Sequence, residues 1–122
     1  MTSTPTDRDD ANGITCSVRP GTTLITLTGD IDAALREQAS AAMVSLVGRD
    51  APVVLDTRRV TFIDSSGIAF LVQVYKVCDE SSLELVLLDP PVNLVDLLDM
   101  VGMRELFTIE RSGAQESVAA GA

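Results

Sequence analysis

Four small or polar residues, Asp64-Ser65-Ser66-Gly67, interrupt an otherwise apolar stretch between Val60 and Val77. A serine beside a carboxylate can serve as a nucleophile, or it can accept a group such as phosphate. Nucleophilic use needs a base, and the chain contains no histidine. That absence removes Ser-His-Asp hydrolysis, histidine metal sites and phosphohistidine relays together, so an esterase built on Ser65 fails and no catalytic residue is assigned. Acceptance of phosphate stays open. The tetrad follows a run of β-formers and precedes a helical pattern. A phosphate on Ser65 is therefore expected to meet free N–H groups and the positive end of a helix dipole. The plainer reading is a strand end with Asp64 and Ser65 as turn and cap oxygens and Gly67 giving room. A single cap would suffice for that, yet three polar side chains stand in a row. The tetrad also lies at a strand-to-helix junction, the usual edge for ligand or partner sites in α/β folds.

The elements that must position this tetrad follow from periodicity. Ile14 to Val18 alternates apolar and polar, and Thr23 to Gly29 does the same, with Arg19-Pro20-Gly21-Thr22 as a turn between them. This predicts an antiparallel hairpin. Asp32 to Val47 carries Leu35, Ala39, Ala42, Met43 and Leu46 on one helical face, with Asp32 as cap and Gly48 as stop. Val53 to Asp56 reads as a short buried strand, and Val60 to Ile63 as an irregular segment leading to the tetrad. A second helix is expected from about Ser66 to Ser81, with Ile68, Leu71, Val74, Tyr75 and Cys78 inward. Leu83 to Asp89 is a further strand. Asp89-Pro90-Pro91 marks a helix start with Asp89 as cap, Gly102 its end, and Leu106 to Glu110 a last strand. The order β-β-α-β-α-β-α-β implies an α/β fold, a mixed sheet with parallel neighbours after the hairpin and helices packed on it.

Composition bounds the function classes. The 122 residues fit one domain with short tails, expected at 1–12 and 112–122 around a domain at 13–111. The formal net charge of −9 opposes a nucleic-acid surface. No apolar run approaches the ~18 residues of a membrane span, and the polar N-terminus lacks a signal-peptide core, so a cytoplasmic protein is expected. Cys16 and Cys78 form no CxxC pair and read as buried thiols. No metal site and no cofactor is predicted. A receiver domain, with Asp56 as its phosphate acceptor, needs an acidic pair after the first strand and a lysine after the last. Asp9 and Asp10 precede the first strand, and the only lysine, Lys76, falls within a helix.

Three blocks carry a resemblance across Ile14 to Glu110: "LTGDID" (Leu27 to Asp32), "VVLDTRRVTFIDSSGIAFLVQVYK" (Val53 to Lys76) and "LVLLDPPVNLVDLLDMVGMRELFTI" (Leu85 to Ile109). The sequence resembles the anti-sigma factor antagonists, or anti-anti-sigma factors, the single-domain branch of the STAS fold. The resemblance implies a STAS-type sheet and a bacterial partner switch in stress-response transcription. An unmodified antagonist binds an anti-sigma factor that is itself a Ser/Thr kinase, and a sigma factor is freed. The kinase phosphorylates the first serine after the aspartate, which maps to Ser65, and a metal-dependent Ser phosphatase reverses the step. The acidic loop residue maps to Asp32. With its neighbour Asp30, and with Asp64, Ser65, Ser66 and Gly67, it makes the implied partner surface on a protein expected to be monomeric when free. Gly67-Ile68-Ala69 stands where the family has Gly-Leu-Gly, and Ser81-Ser82 where a glycine pair is frequent. The alternative is a STAS domain that is never phosphorylated, a scaffold or transporter accessory.

Overall fold

A computed structural model describes residues 12–112; apart from Asn12 and Ser112, the expected tails 1–12 and 112–122 lie outside the described residues. The chain runs β1 (Gly13–Arg19), β2 (Thr22–Ile31), a 3-10 turn (Ala33–Leu35), α1 (Arg36–Leu46), β3 (Val53–Ile63), α2 (Ser65–Glu80), β4 (Leu85–Leu88), α3 (Val92–Met100), a second 3-10 turn (Arg104–Leu106) and β5 (Thr108–Glu110). The five strands lie in one sheet in sequence order. β1 pairs antiparallel with β2, from Gly13 opposite Thr28 to Arg19 opposite Thr22, and every later pair is parallel. Right-handed crossovers between strands taken in sequential order place all three helices on one face. The alternation along β2 fits this. Thr23, Ile25, Leu27 and Ile31 are buried, while Leu24, Thr26 and Thr28 between them are only half-buried.

One apolar core joins the covered face of the sheet to the helices. Ile25, Leu55 and Leu87 occupy matching positions on three adjacent strands and are fully buried. Ala42 and Leu46 of α1, Leu71 and Val74 of α2, and Leu94 and Leu98 of α3 close over them. The stripes expected on α1 and α2 hold, with Phe70 as a further buried residue of α2. Cys78 lies in this core, and burial pushes its thiol up to about 11. Cys16 is half-buried, and both cysteines are free.

Several elements differ from the sequence reading: β4 is Leu85–Leu88 rather than Leu83 to Asp89, and β5 starts at Thr108, Leu106 lying in the second 3-10 turn. β3 is a single eleven-residue strand rather than a short one followed by an irregular segment. Its register against β2 shifts twice, between Thr26 and Thr28 and between Gly29 and Asp30. Each bulge inserts an extra residue, so the buried side chains Leu55, Thr57, Val60 and Ile63 end up spaced by two and then by three. A hydroxyl is tolerated at fully buried Thr57 because it donates to the Leu88 carbonyl at 2.9 Å. α1 begins three residues later than expected, behind the 3-10 turn that Asp32 caps. Asp89 does not cap α3, whose N-cap is Pro91. It adopts φ +50° and its carboxylate accepts from the N–H and hydroxyl of Ser112, a contact across the sheet edge that local sequence does not reveal.

Candidate functional site

The site is built where β2 and β3 end side by side. Ile31 is the register partner of Ile63, so the residues that follow each, Asp32 and Asp64, leave the sheet from adjacent parallel strands, which lie about 4.8 Å apart. A backbone bond from the Asp64 N–H to the Ile31 carbonyl, 3.3 Å, ties the two turns together.

Asp64 is the N-cap of α2. Its backbone is extended, at φ −111° and ψ −168°, and its Oδ1 accepts from the N–H of Ser66 at 2.9 Å and of Gly67 at 3.2 Å. Asp64 alone supplies the cap, whereas the sequence suggested that Ser65 shares it. Ser65 is the first residue of the helix, and Ser65 and Ser66 are both exposed. The free N–H groups expected to receive a phosphate are therefore partly taken: two of the helix's first donors already bond the Asp64 carboxylate.

Gly67 is buried for a geometric reason. A Cβ there would lie 2.8 Å from the Ile31 carbonyl oxygen and collide with the Ile63 side chain. Only glycine lets the start of α2 approach the ends of both strands this closely.

Asp32 caps the neighbouring turn through Oδ1, which accepts from the Ala34 N–H at 3.0 Å. Asp32, Ser66 and Gly67 border one cavity of about 590 Å³ between α1 and α2, whose floor includes Leu35, Met43 and Phe70. Asp30 is placed differently. Its carboxylate accepts from the Thr61 hydroxyl at 2.8 Å, and its N–H donates to Asn12 Oδ1 at 2.7 Å. It thus braces the end of β2 against β3 and does not line the cavity.

Residues that the sequence reading did not select lie around the end of β3 that leads into the tetrad. Phe62 is 52% exposed, immediately before Ile63 and Asp64. Asn93, near the start of α3, donates to the Thr61 carbonyl at 3.3 Å, and Val92 beside it is exposed. Phe62 carried a legible signal, since it is one of only three phenylalanines and directly precedes the tetrad strand end. Asn93 had none, because its partner is 32 residues away.

Asp56 of the receiver comparison is engaged elsewhere. Partial burial raises its pKa, but hydrogen bonds and charge from Arg58 outweigh this and hold the carboxyl below its ordinary value. The pair meets at 2.9 Å. Among the described residues no cluster of three or more His, Cys, Asp or Glu side chains is placed to hold a metal ion, and no helix is long and apolar enough to cross a membrane.

A five-stranded sheet with three helices on one face and an acid-capped serine pair at the β3–α2 junction defines the class. The STAS domain family matches residues 14–115, and the chain belongs to that family. Among solved structures the chain is similar to the anti-sigma factor antagonist SpoIIAA in its unphosphorylated form, at 15% identity and a TM-score of 0.69 over 90% of this chain and 98% of that one. It is similar to the Bacillus cell fate determinant SpoIIAA in the phosphorylated form, at 18% identity and a TM-score of 0.67 over 90% and 100%. An anti-sigma-factor antagonist (STAS) domain protein from Planctomyces limnophilus aligns at 23% identity and a TM-score of 0.72 over 91% and 98%. At these identities the likeness is one of fold. No curated protein sequence matches the chain.

Proposed function

We propose that this protein is an anti-sigma factor antagonist that binds an anti-sigma factor Ser/Thr kinase, frees a sigma factor, and is switched off by phosphorylation at Ser65. The observation that carries the reading is the placement of Ser65: exposed, first in α2, and next to a residue whose carboxylate already occupies the helix cap. The similarity to antagonists solved in unphosphorylated and phosphorylated forms supports it.

Release works by charge. A phosphate adds about −1.5 to −2 charges. Because Asp64 holds the Ser66 and Gly67 N–H groups, the phosphate arrives beside a fixed carboxylate rather than in an empty nest of donors. Phosphate, Asp64 and Asp32 then present one concentrated negative edge to any partner carboxylate. Two unit charges ~4 Å apart at an effective dielectric of ~20 interact by roughly 4 kcal/mol. Half of that weakens binding by more than about tenfold, and no refolding is needed. The chain binds and is modified, while the kinase and a metal-dependent Ser phosphatase supply the chemistry.

The test is incubation with purified anti-sigma Ser kinases and Mg-ATP, followed by intact mass and peptide mapping. One phosphate on Ser65 is expected. Binding without labelling would replace the switch by an unregulated STAS scaffold.

A further inference from the structure

Among the described residues, nothing pairs with the sheet edge farthest from β5. In the antiparallel β1–β2 ladder, bonded pairs alternate with unbonded ones. The Ile14 N–H leaves the sheet to reach Gln38 Oε1 at 2.7 Å, which fixes Ile14, Cys16 and Val18 as the outward-facing residues. The opening is bounded at both ends: Gln38 occupies Ile14, and Pro20 has no N–H. Between them, the N–H and C=O of Cys16 and of Val18 are without partners among the described residues.

Exposed apolar side chains lie near this end of the molecule. α1 follows the end of β2 and precedes the start of β3, so its last turn lies at the Val18 end of β1. The bond from Arg49 Nε to Thr23 Oγ1, 3.2 Å, confirms that placement, since Thr23 is the register partner of Val18. Val18, Val44 and Val47 are 55%, 72% and 75% exposed there. In a chain of net charge −9, β1 carries no carboxylate, and the only one on α1 is Glu37 at its far end.

We infer that this edge pairs with a second copy of the chain, β1 against β1 about a two-fold axis through Ser17. In that register Cys16 stands opposite Val18 of the second copy, and the reverse. All four open groups of each strand are then satisfied, Arg19 faces Thr15 rather than a like charge, and Ile14 falls opposite Pro20, where neither has a bond to give. The last turns of the two α1 helices approach along the sides that carry Gln38, and the exposed Val18 of both copies is covered. Ser17 is opposite Leu24, seven residues or roughly 23 Å along β2 from Ile31, so the tetrad stays accessible in the pair. The inference departs from the monomer expected from sequence and does not depend on the proposed switch.

Register-specific crosslinking tests it. Ser17→Cys in a Cys16→Ser background places two thiols directly opposite, within disulfide reach. Thr15→Cys in the same background leaves them roughly 14 Å apart, while buried Cys78 stays inert. Mild oxidation should crosslink the first variant and not the second. Light scattering of the wild-type chain should show twice the chain mass at high concentration. Val18→Pro, which loses only an outward N–H, and Ala41→Glu, exposed one turn along α1 from Gln38, should each return it to the chain mass with unchanged circular dichroism. A wild-type chain that stays at single mass throughout, or equal crosslinking at 15 and 17, would overturn the pairing.

Discussion

Asp32 and Asp64 end neighbouring parallel strands, and each caps the turn that follows, yet the two turns differ in kind. Asp64 binds two N–H groups and starts a sixteen-residue helix. Asp32 binds one and starts a three-residue 3-10 turn. Behind Asp64 stands Gly67, packed against the Ile31 carbonyl and the Ile63 side chain. Behind Asp32 stand Ala33 and Ala34, both exposed. The comparison separates a rigid turn from a lightly held one at a single surface. The rigid turn suits a modified residue, because a phosphate fixed in space gives a reproducible electrostatic signal. The lightly held turn suits recognition, because its acid is not needed to keep a helix in place.

The largest expected effect falls on the rigid turn's serine. Ser65→Ala should abolish labelling and keep binding to the kinase, whereas Ser66→Ala should still be labelled. Ser65→Asp should weaken binding, though by less than phosphate does, since it brings one charge and less bulk. Both Ser65 variants should melt near wild type, because the side chain is exposed. Calorimetric titration of each form against the kinase, beside a thermal melt, reads both quantities; equal affinity across the three forms would sink the charge switch.

Next in size is the packing that makes the turn rigid. Gly67→Ala should destabilise the fold by about 1–3 kcal/mol, the usual cost of overpacking, because the obstacle includes the Ile31 backbone and cannot simply rotate away. Denaturant unfolding checks this. A loss below a few tenths would mean that the junction yields and that the contrast with the Asp32 turn is overstated.

A smaller loss is expected for the cap itself. Asp64→Ala should cost about 1 kcal/mol, and Asp64→Asn much less, since an amide oxygen can still accept from Ser66 and Gly67. Asp64→Asn also removes the charge beside a Ser65 phosphate, so phosphorylation should then loosen the kinase less than in wild type. Affinities of both proteins with and without phosphate decide this; an equal loss would assign the repulsion to the partner's groups alone.

The hairpin, the parallel order and the helical stripes were legible because each is a periodic pattern of local sequence. The tetrad was legible as a break in such a pattern. β3 was not, because two bulges change the spacing of Thr57, Val60 and Ile63 from two to three, which reads as irregular chain. Asp89 was misread because Asp-Pro-Pro is a strong local helix start, while its carboxylate is taken by Ser112, 23 residues away. Asp30 was grouped with Asp32 by adjacency. Alternation along a strand would put both on one face, but β2 ends at Ile31, so Asp32 has left the sheet for the turn it caps while Asp30 stays in the strand and accepts from Thr61.

The smallest stability change, and the sharpest test of the contrast, is expected at Asp32. As a cap it holds one N–H of a single 3-10 turn, and Asp32→Asn leaves an oxygen to accept that bond. Its melting temperature should therefore stay within the error of wild type. As a recognition group Asp32 acts through charge at the rim of the cavity it shares with Ser66 and Gly67. A basic group of the kinase that pairs with it would lose its partner in the amide variant, and an exposed pair of that kind is worth about 0.2–1 kcal/mol. The expected result is an affinity drop of up to about fivefold, shrinking as salt is raised. Asp30→Asn supplies the internal control: its amide oxygen can still accept from Thr61 and its side chain does not line the cavity, so affinity should move less than for Asp32→Asn. If both variants bind alike at low salt, the two turns do not divide rigidity from recognition, and Asp32 is a cap and nothing more.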